Sequence, residues 1–300
     1  MSLVDNPASK ALDSTNDAIP LRGNAAVRGW EHLRTWPPSL RIGVGMLVII
    51  VAVLVATPWV APYDPAAQVL TDRLQGPGSA HLLGTDQLGR DVLSRLLWGG
   101  RFSVSIAAIT LVLCSVIGTM LGLLAARLQG AFDEVLMRLS DVLLAFPGLI
   151  VAMFLVAILG PSYGTLVLAL VIVGWTPFAR LARSLALEIN SRDFVEAADS
   201  LGFSRRYIIV RHLLPNALSP LLAHAALRFG HELITVGALS YLGLGVQPPD
   251  SDWGSMLADG QPYMTSVAGL VIFPGLAIFL TALAVTLIGQ GINTRRARQE

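Results

Sequence analysis

Long apolar stretches alternate with shorter polar segments over most of this chain. Six of the stretches are long enough to cross a hydrocarbon core of about 30 Å, at about 1.5 Å of helix rise per residue. They cover residues 42–60, 102–126, 142–159, 165–187, 217–244 and 267–288. Pro147 lies just inside the third stretch, where we expect a kink. The pattern predicts an all-α, polytopic membrane bundle with six transmembrane helices.

The basic residues favour an orientation with both termini in the cytoplasm. Most of the 21 lysines and arginines fall in the terminal segments and in the loops that share a side with the N-terminus. Cytoplasmic loops of membrane proteins carry such an excess. Residues 1–40 are predicted to be a cytoplasmic tail, in which Trp30, Leu33 and Trp36 have the spacing of a short helix in the headgroup region. Tryptophans in a loop with no membrane role are the alternative. Residues 41–300 form the transmembrane domain.

Composition excludes several functions. Hydrophobic residues make up 54% of the chain and charged residues only 14%, against roughly a quarter charged in soluble domains. The net charge of +1 gives no indication of a nucleic-acid partner. A phosphate-binding P-loop needs a lysine after its glycine, and the one lysine, Lys10, lies in the polar tail. The single cysteine, Cys114, is expected to be a buried thiol. No pattern of a nucleophile with its base, or of a metal cluster, is present, so we expect no catalysis by this chain.

The polar segment of residues 190–216 lies between the fourth and fifth stretches. It is predicted to form two short helices joined by an elbow. Asp193 and Glu196 have the spacing of a capping box at the start of the first helix. A narrow apolar stripe follows, consisting of Phe194, Ala197, Ala198 and Leu201. Gly202 is expected to adopt a positive φ after this helix.

The second short helix is expected to begin at a Ser204 cap and to end at Pro215. The whole segment resembles the EAA loop of ABC-importer permeases, a cytoplasmic element that docks into a groove on the ATPase subunit. The positions that match this pattern are Glu196, Ala197, Ala198, Gly202, Leu214 and Pro215, and Leu201 completes the predicted ATPase-coupling set. His212 stands where the family usually has a branched residue.

Residues 81–103, HLLGTDQLGRDVLSRLLWGGRFS, precede the second stretch on the predicted outer side. Asp86, Arg90, Asp91 and Arg95 alternate in sign, and the last two have the i, i+4 spacing of a helical ion pair. The pattern alone favours a solvated amphipathic helix. The segment also resembles the LGTDxxGRDxxSRxxxGxRxS block of permeases of the dipeptide, oligopeptide and nickel class. The resemblance makes Asp86, Arg90 and Asp91 candidate outer-face residues.

Residues 239–257, LSYLGLGVQPPDSDWGSML, resemble the LSFLGLGxQPPxPEWGxML block of the same class. Gly243 and Gly245 are expected to end a helix, and Trp253 to anchor the chain at the membrane interface. Gln247 and Trp253 are therefore further candidates on the outer face. This segment would either contact a substrate-binding protein or line the entrance of a pathway, and the sequence leaves both interpretations open.

The fifth stretch carries four ionisable residues on one helical face: His224, Arg228, His231 and Glu232. Such residues inside a membrane usually face the bundle interior or water. One interpretation is a translocation cavity in which Arg228 is available to a peptide carboxylate. A second is an Arg228–Glu232 pair within the helix, with the histidines hydrogen-bonded to neighbours. A third is a two-histidine metal site, which lacks further ligands.

The resemblance to the dipeptide, oligopeptide and nickel class implies a type I ABC-importer permease fold in a bacterial cytoplasmic (inner) membrane. It implies one half of a pathway for di- and oligopeptides, completed by a second homologous permease. Two ATPase subunits would bind ATP and Mg²⁺, and an external substrate-binding protein would deliver the substrate. No cofactor is expected in this chain, and membrane lipid surrounds it. Nickel or glutathione are alternative substrates, and an ion-driven secondary transporter, with inverted repeats and broken helices, is the alternative from another class.

Overall fold

The apolar stretches form helices in the computed structural model, which describes residues 36–297. Two short turns are 3₁₀-helical, Leu70–Asp72 and Gln261–Tyr263. A third turn, Ile209–Leu213, is π-helical. The ten α-helices of the described part are α1 (Pro38–Val60), α2 (Val92–Leu128), α3 (Gly130–Ala145), α4 (Gly148–Leu159), α5 (Tyr163–Asn190), α6 (Asp193–Ser200), α7 (Arg205–Ile208), α8 (Leu214–Tyr241), α9 (Trp253–Gly260) and α10 (Gly269–Ala297). The tail helix predicted around Trp30 and Leu33 lies outside the described residues.

Four of the described helices, α1, α2, α5 and α10, are long and apolar enough to cross a membrane. The pair α3–α4 would supply a fifth span if its two bent helices cross together. The prediction of a helical membrane protein is therefore confirmed with four or five such helices. Helix α8, with 28 residues, is long enough to span but is not among the four. Its polar stripe, formed by His224, Arg228, His231 and Glu232, explains this, because charged side chains lower the mean hydropathy of a helix.

The third apolar stretch is two helices where the sequence predicted one helix with a kink. Helices α3 and α4 meet at an angle of 89°. Between them, Phe146 adopts an extended conformation, with φ −100° and ψ 146°, as sterics require of a residue before proline. The carbonyl of Pro147 then accepts hydrogen bonds from the amides of Ile150 and Val151, at 2.9 and 3.2 Å, and starts α4. Pro147 thus separates two helices, and α4 retains only 12 residues.

The closest helix contact joins α2 to α5 through two glycines one turn apart on α2. A Cβ atom added at Gly118 would lie 2.3 Å from the carbonyl oxygen of Trp175, and one at Gly122 would lie 2.2 Å from that of Ala179. Real side chains never approach so closely, so only glycine permits this contact. Small residues four apart are a known device for bringing membrane helices together. The four-residue spacing of Gly118 and Gly122 is visible in the sequence.

Three buried clusters lie along this helix pair in the described structure, one of them consisting only of Ala125, Leu136, Trp175 and Ala179. The other two contain more residues. The larger cluster contains Ile106, Leu166, Leu233 and Trp253, which come from α2, α5, α8 and α9. The smaller cluster lies where α2 and α5 meet the short helices: Leu123, Ala126, Ala182, Ala186, Ile189, Val195, Ala198, Ile208, Leu213, Ala217 and Leu221. Apolar contacts therefore connect the short helices directly to the α2–α5 pair.

We expect Gly122→Ala to destabilise the protein by about 1–3 kcal/mol, because the added methyl group forces the α2 and α5 backbones apart. The matched control is Gly45→Ala on α1, where an added Cβ would meet no atom within 4 Å and alanine has the higher helix propensity. Thermal unfolding of both purified variants in detergent measures the difference. Equal stability of the two variants would show that the α2–α5 backbones are not in close contact.

Candidate functional site

The predicted coupling segment presents two different faces. Val195 and Ala198 of α6 are buried, with 0% and 5% of their surface exposed. Phe194 and Leu201 are 42% and 76% exposed, and Ala197 is exposed as well. The predicted single stripe was therefore wrong in one respect. Ala198 faces the protein interior, because α6 lies on the smaller core cluster, whereas the other three residues form an outward apolar patch.

The start of α6 also differs from the prediction, whereas its end agrees. Arg192 occupies the N-cap position and makes no side-chain capping bond, so Asp193 and Glu196 do not form a capping box. Both acids are exposed in the first turn, where negative charge interacts favourably with the helix dipole. Gly202 has a φ of +77°, as predicted, and the amide of Phe203 closes the helix onto the carbonyl of residue 198 at 3.2 Å.

The helix that follows does not end at Pro215. The Ser204 hydroxyl caps α7 by accepting the amide of Tyr207 at 3.3 Å, as predicted. The chain then passes through the π-helical turn into α8, where Leu214 and Pro215 form the first turn. The Leu214 amide donates to the carbonyl of Ile209, five residues back. This wider turn leaves room for the proline ring, which would clash in a regular α-helix. The second half of the predicted coupling segment is therefore continuous with α8.

Ion pairs connect the coupling segment and α3 to the bundle. Arg127, at the end of α2, donates two hydrogen bonds to the Asp199 carboxylate of α6, one of them 2.9 Å long. The hydrogen bonds from Arg127 lower the pKa of Asp199 below the ordinary value of a carboxyl group. Arg183 of α5 forms a bidentate ion pair with Asp133 of α3, in which Nε and Nη2 donate to the two carboxylate oxygens at 2.5 and 2.6 Å. These contacts join residues that are 72 and 50 positions apart in the sequence, so local spacing does not predict them.

The charged residues before α2 form a buried network instead of a solvated helix. The Asp86 carboxylate accepts hydrogen bonds from Arg90 Nε at 2.6 Å and from Arg95 Nη1. Both arginines also contact Asp259 Oδ2 of α9, at 3.3 and 3.1 Å. Asp86, Arg90 and Arg95 are only 2–6% exposed. The interpretation as a solvated amphipathic helix was therefore wrong, because each buried charge has an oppositely charged partner.

Asp91 does not pair with Arg95, contrary to the i, i+4 prediction. Its carboxylate caps α2 by accepting the amide of Ser94 at 2.8 Å. Its other oxygen lies 2.9 Å from Nδ1 of His81. The capping position directs the Asp91 side chain back over the first turn, away from Arg95. Asp91 therefore fixes the start of α2, while Asp86 and Asp259 neutralise the arginines.

The loop between α8 and α9 places Trp253 inside the protein. Trp253 is 3% exposed; its indole nitrogen donates to the carbonyl of Leu96 at 2.9 Å and its amide to the Ser103 hydroxyl at 3.0 Å. The prediction of a membrane-interface anchor was wrong, because both polar groups are satisfied within the fold. Gly243, with a φ of +81°, follows the end of α8 as predicted. Gln247 is exposed, and its amide group closes the loop on the carbonyls of residues 243 and 245.

A cavity of about 360 Å³ lies between α8, α5 and the α3–α4 bend. Arg228, His231 and Glu232 of the polar stripe line it together with Thr235. Arg228 Nη2 also donates to Glu232 Oε1 at 3.2 Å, so the cavity and the helical ion pair are both present. His224 is not in this lining and packs edge-on against the Phe178 ring, with centroids 5.1 Å apart.

The cavity wall is otherwise apolar. Its remaining lining comes from the α3–α4 bend and from α5: Leu144, Pro147, Gly148, Leu149, Leu170, Val173, Gly174 and Pro177. Within the part of the chain that the structure covers, no group of three or more His, Cys, Asp or Glu side chains could hold a metal ion. The arrangement therefore provides one positive and one negative group in an apolar pocket, which suits a small polar molecule with an apolar body.

Comparison with known proteins identifies the family. The family model described as binding-protein-dependent transport system inner membrane component matches residues 118–298. A glutathione transport system permease protein of Pectobacterium atrosepticum is 40% identical, over 92% of this chain and 93% of the relative. A probable D,D-dipeptide transport system permease protein of Escherichia coli K12 is 39% identical, over 83% of each chain. The chain belongs to this family of inner membrane transport components.

The resemblance seen in the sequence is therefore confirmed, and the protein is a permease subunit of a binding-protein-dependent transport system. A putative peptide transport system permease protein of Brucella suis is another similar relative, 39% identical over 85% of this chain and 86% of its own. A broken helix pair such as α3–α4 is also expected of an ion-driven secondary transporter. The break thus does not separate the two classes, and the family match decides between them.

Three tertiary contacts of this permease were not visible in the sequence. Asp259 completes the buried charge network across 164 and 169 residues. Asp199 meets Arg127 across 72 residues, and Gly174 makes room for Cys114, since an added Cβ would lie 2.7 Å from its Sγ. No local spacing relates residues so far apart. The only available signal was an isolated charge or glycine next to an apolar stretch.

We expect Asp86→Asn to destabilise the permease by about 3–5 kcal/mol, because it leaves two buried guanidinium groups sharing one carboxylate. The control is Asp250→Asn, a loop aspartate that is exposed and has no ion pair among residues 36–297. Apparent melting temperatures in detergent report both effects. If the network does not stabilise the fold, the two variants will have the same melting temperature.

We expect the pKa of Asp199 to lie below the ordinary value of about 3.9 and to return to it in Arg127→Gln. Because the folded-state pKa is lowered, the attachment of α6 to α2 is complete above the ordinary carboxyl pKa and weakens as pH falls through the lowered value. Carbon-13 NMR titration of labelled aspartate measures the shift. Arg205→Gln, which removes a different arginine near α6, serves as the control. An unchanged titration in Arg127→Gln would contradict the assignment.

Proposed function

We propose that this permease has six spans and the type I ABC-importer fold, with both termini in the cytoplasm. In this arrangement the α3–α4 pair crosses the membrane as one broken span and α8 crosses despite its polar stripe. Two features support α8 as a span: its length of 28 residues, and the partnering of Glu232, which is 3% exposed, by Arg228. The excess of lysine and arginine on the predicted inner side supports the orientation. Residues 1–40 then form a cytoplasmic tail, and residues 41–300 the permease domain.

We propose peptides as the substrate class, with the chain forming half of an import pathway and a second homologous permease forming the other half. A substrate-binding protein delivers the substrate, and two ATPase subunits bind ATP and Mg²⁺. Relatives at 39–40% identity are named for the transport of peptides, D,D-dipeptides and glutathione, which supports this class. Glutathione, itself a tripeptide with free charges, is the second candidate. Nickel has weaker support, because the cavity pairs a cation with an anion and the described residues contain no group of three or more metal ligands.

The coupling proposal rests on one observation, the unbroken helical path from α7 through the π turn into α8. The apolar patch of Phe194, Ala197 and Leu201 is exposed and would dock into the ATPase groove, with Glu196 available to a cation of the partner. Movement of this patch would be carried by the Gly202 elbow into α7. Because α7 continues into α8, the movement reaches the helix that carries Arg228 and Glu232.

The residues of the proposed outer face fall into two groups: buried residues that would hold the loops, and one exposed residue that would contact the binding protein. Asp86, Arg90, Asp91 and Trp253 are buried and would hold the loops in place without touching a partner. Gln247 is the exposed member of the predicted set and would lie where the binding protein docks. The charge network therefore gives that surface a rigid base, since a docking surface on mobile loops would cost more ordering entropy.

We expect Leu201→Asp to abolish co-purification of the ATPase subunits and ATP-driven uptake while leaving the permease folded, because Leu201 is 76% exposed. The matched control is Leu82→Asp, at a leucine of the outer loop that is 63% exposed. The measurement is ATPase recovery on tagged permease, together with uptake into proteoliposomes. Full assembly and uptake by Leu201→Asp would refute the coupling proposal.

The same proteoliposomes test the substrate class. With both permeases, the ATPases and the binding protein present, we expect uptake of di- and tripeptides or glutathione that depends on ATP. Uptake of Ni²⁺ alone would favour the nickel alternative. Transport by this chain alone, without ATPase subunits, would refute the importer proposal.

A further inference from the structure

The Arg228 guanidinium makes fewer hydrogen bonds to carboxylates than the other described arginines whose ion pairs are shielded from solvent. It makes one side-chain hydrogen bond, to Glu232 at 3.2 Å, and its Nε is buried without a hydrogen-bond partner among the described residues. Arg183, by contrast, holds Asp133 through two bonds of 2.5 and 2.6 Å. A guanidinium presents five N–H donors in a fork that fits a carboxylate with two parallel bonds. Arg228 therefore retains the capacity to bind a better-placed carboxylate.

The Glu232 side chain is more buried than that of Arg228 and has less freedom to move. Its side chain is 4% exposed, against 25% for Arg228, and it lies against Gly174 of α5. Arg228 is the one side chain with which it forms a hydrogen bond in the described structure. A ligand that drew Arg228 away would thus leave a buried carboxylate without its cation, which is costly. The balance is restored only if the ligand brings a positive charge of its own to Glu232.

We propose that Arg228 and Glu232 together recognise a zwitterion by exchanging partners. The substrate's carboxylate replaces Glu232 on the Arg228 guanidinium, and its ammonium group replaces Arg228 beside Glu232. The helical pair holds both charges in the absence of substrate. This inference rests on the proposed peptide function and deepens it, because it assigns recognition of the two free termini of a short peptide to two residues four apart on α8.

The cavity has the size and polarity that this exchange requires. Its volume of about 360 Å³ is within the range of small-molecule sites, about 300–1,000 Å³. The wall opposite the charged pair is formed by leucine, valine and proline side chains, which fit apolar side chains without selecting among them. The site would therefore select strongly for the two charges and weakly for the peptide side chains.

The test compares uptake of a free dipeptide, its C-terminal amide and its N-acetylated form by the complete reconstituted complex. We expect the wild type to discriminate against each blocked form by at least about tenfold in kcat/KM. Arg228→Gln should remove the discrimination against the amide, mainly through a higher KM for the free peptide. Glu232→Gln should remove the discrimination against the N-acetylated form. Arg228→Lys, which keeps the charge but loses the fork, should discriminate to an intermediate degree.

Two further variants keep the test decisive. The double variant Arg228→Gln with Glu232→Gln removes both charges together, so it leaves no unpaired buried charge and should fold while losing both discriminations. The matched control is Arg192→Gln, because Arg192 forms an i, i+4 pair with Glu188 at the same 3.2 Å but lies outside the cavity lining. It should keep both discrimination ratios.

The outcomes separate this inference from the proposed function. Peptide uptake in which the Arg228 and Glu232 variants discriminate as the wild type does would overturn the exchange while the importer proposal stands. Loss of both discriminations in Arg192→Gln would also overturn it, since the effect would then not be specific to the cavity. A wild-type complex that transports no peptide with ATP would refute the proposed function and, with it, this inference.

Discussion

The contact between α2 and α5 determines where the remaining parts of the permease can lie. Gly118 and Gly122 allow two backbones to touch, as the clashes of an added Cβ with the carbonyls of Trp175 and Ala179 demonstrate. Toward one end of this contact, Cys114 packs against Gly174 beside Glu232. Toward the other, the smaller core cluster carries the short helices. One tight helix pair thus forms a common support for the cavity and for the coupling segment.

The buried charges of the permease fall into two physical classes. In the network around Asp86, two arginines share two carboxylates through several hydrogen bonds. Such a network is costly to break and suited to holding loops in place. The Arg228–Glu232 pair has a single bond of 3.2 Å and leaves Nε unsatisfied. A pair with unused donors can be rearranged by a ligand at smaller cost. The degree of satisfaction, more than burial alone, separates the charge network from the pair that we propose to bind substrate.

Part of the local chemistry was predictable from the sequence, although the predicted Asp193–Glu196 capping box does not form, and tertiary competition was not predictable. The positive φ of Gly202 and the Ser204 cap were predicted because each depends only on neighbouring residues. Asp91 did not pair with Arg95, because the first turn of α2 and His81 compete for its carboxylate. Trp253 did not reach a membrane interface, because carbonyl and hydroxyl groups of α2 satisfy it inside the fold. The cavity residues shared a predicted face, but only the fold separates His224 from the others.

The π turn between α7 and α8 shows how a proline can lie within a continuous helical segment. A proline in a regular helix removes one hydrogen bond and displaces the preceding turn, and in α3–α4 this produced an 89° break. Before Pro215, the extra residue of the π turn makes space for the proline ring. The side-chain amide of Asn216 also donates a hydrogen bond to the carbonyl of His212 at 2.6 Å. The helix axis therefore continues, and the same residue type that disconnects α3 from α4 leaves α7 joined to α8. The proposed coupling requires this difference, because a break at Pro215 would let α7 move without moving Arg228.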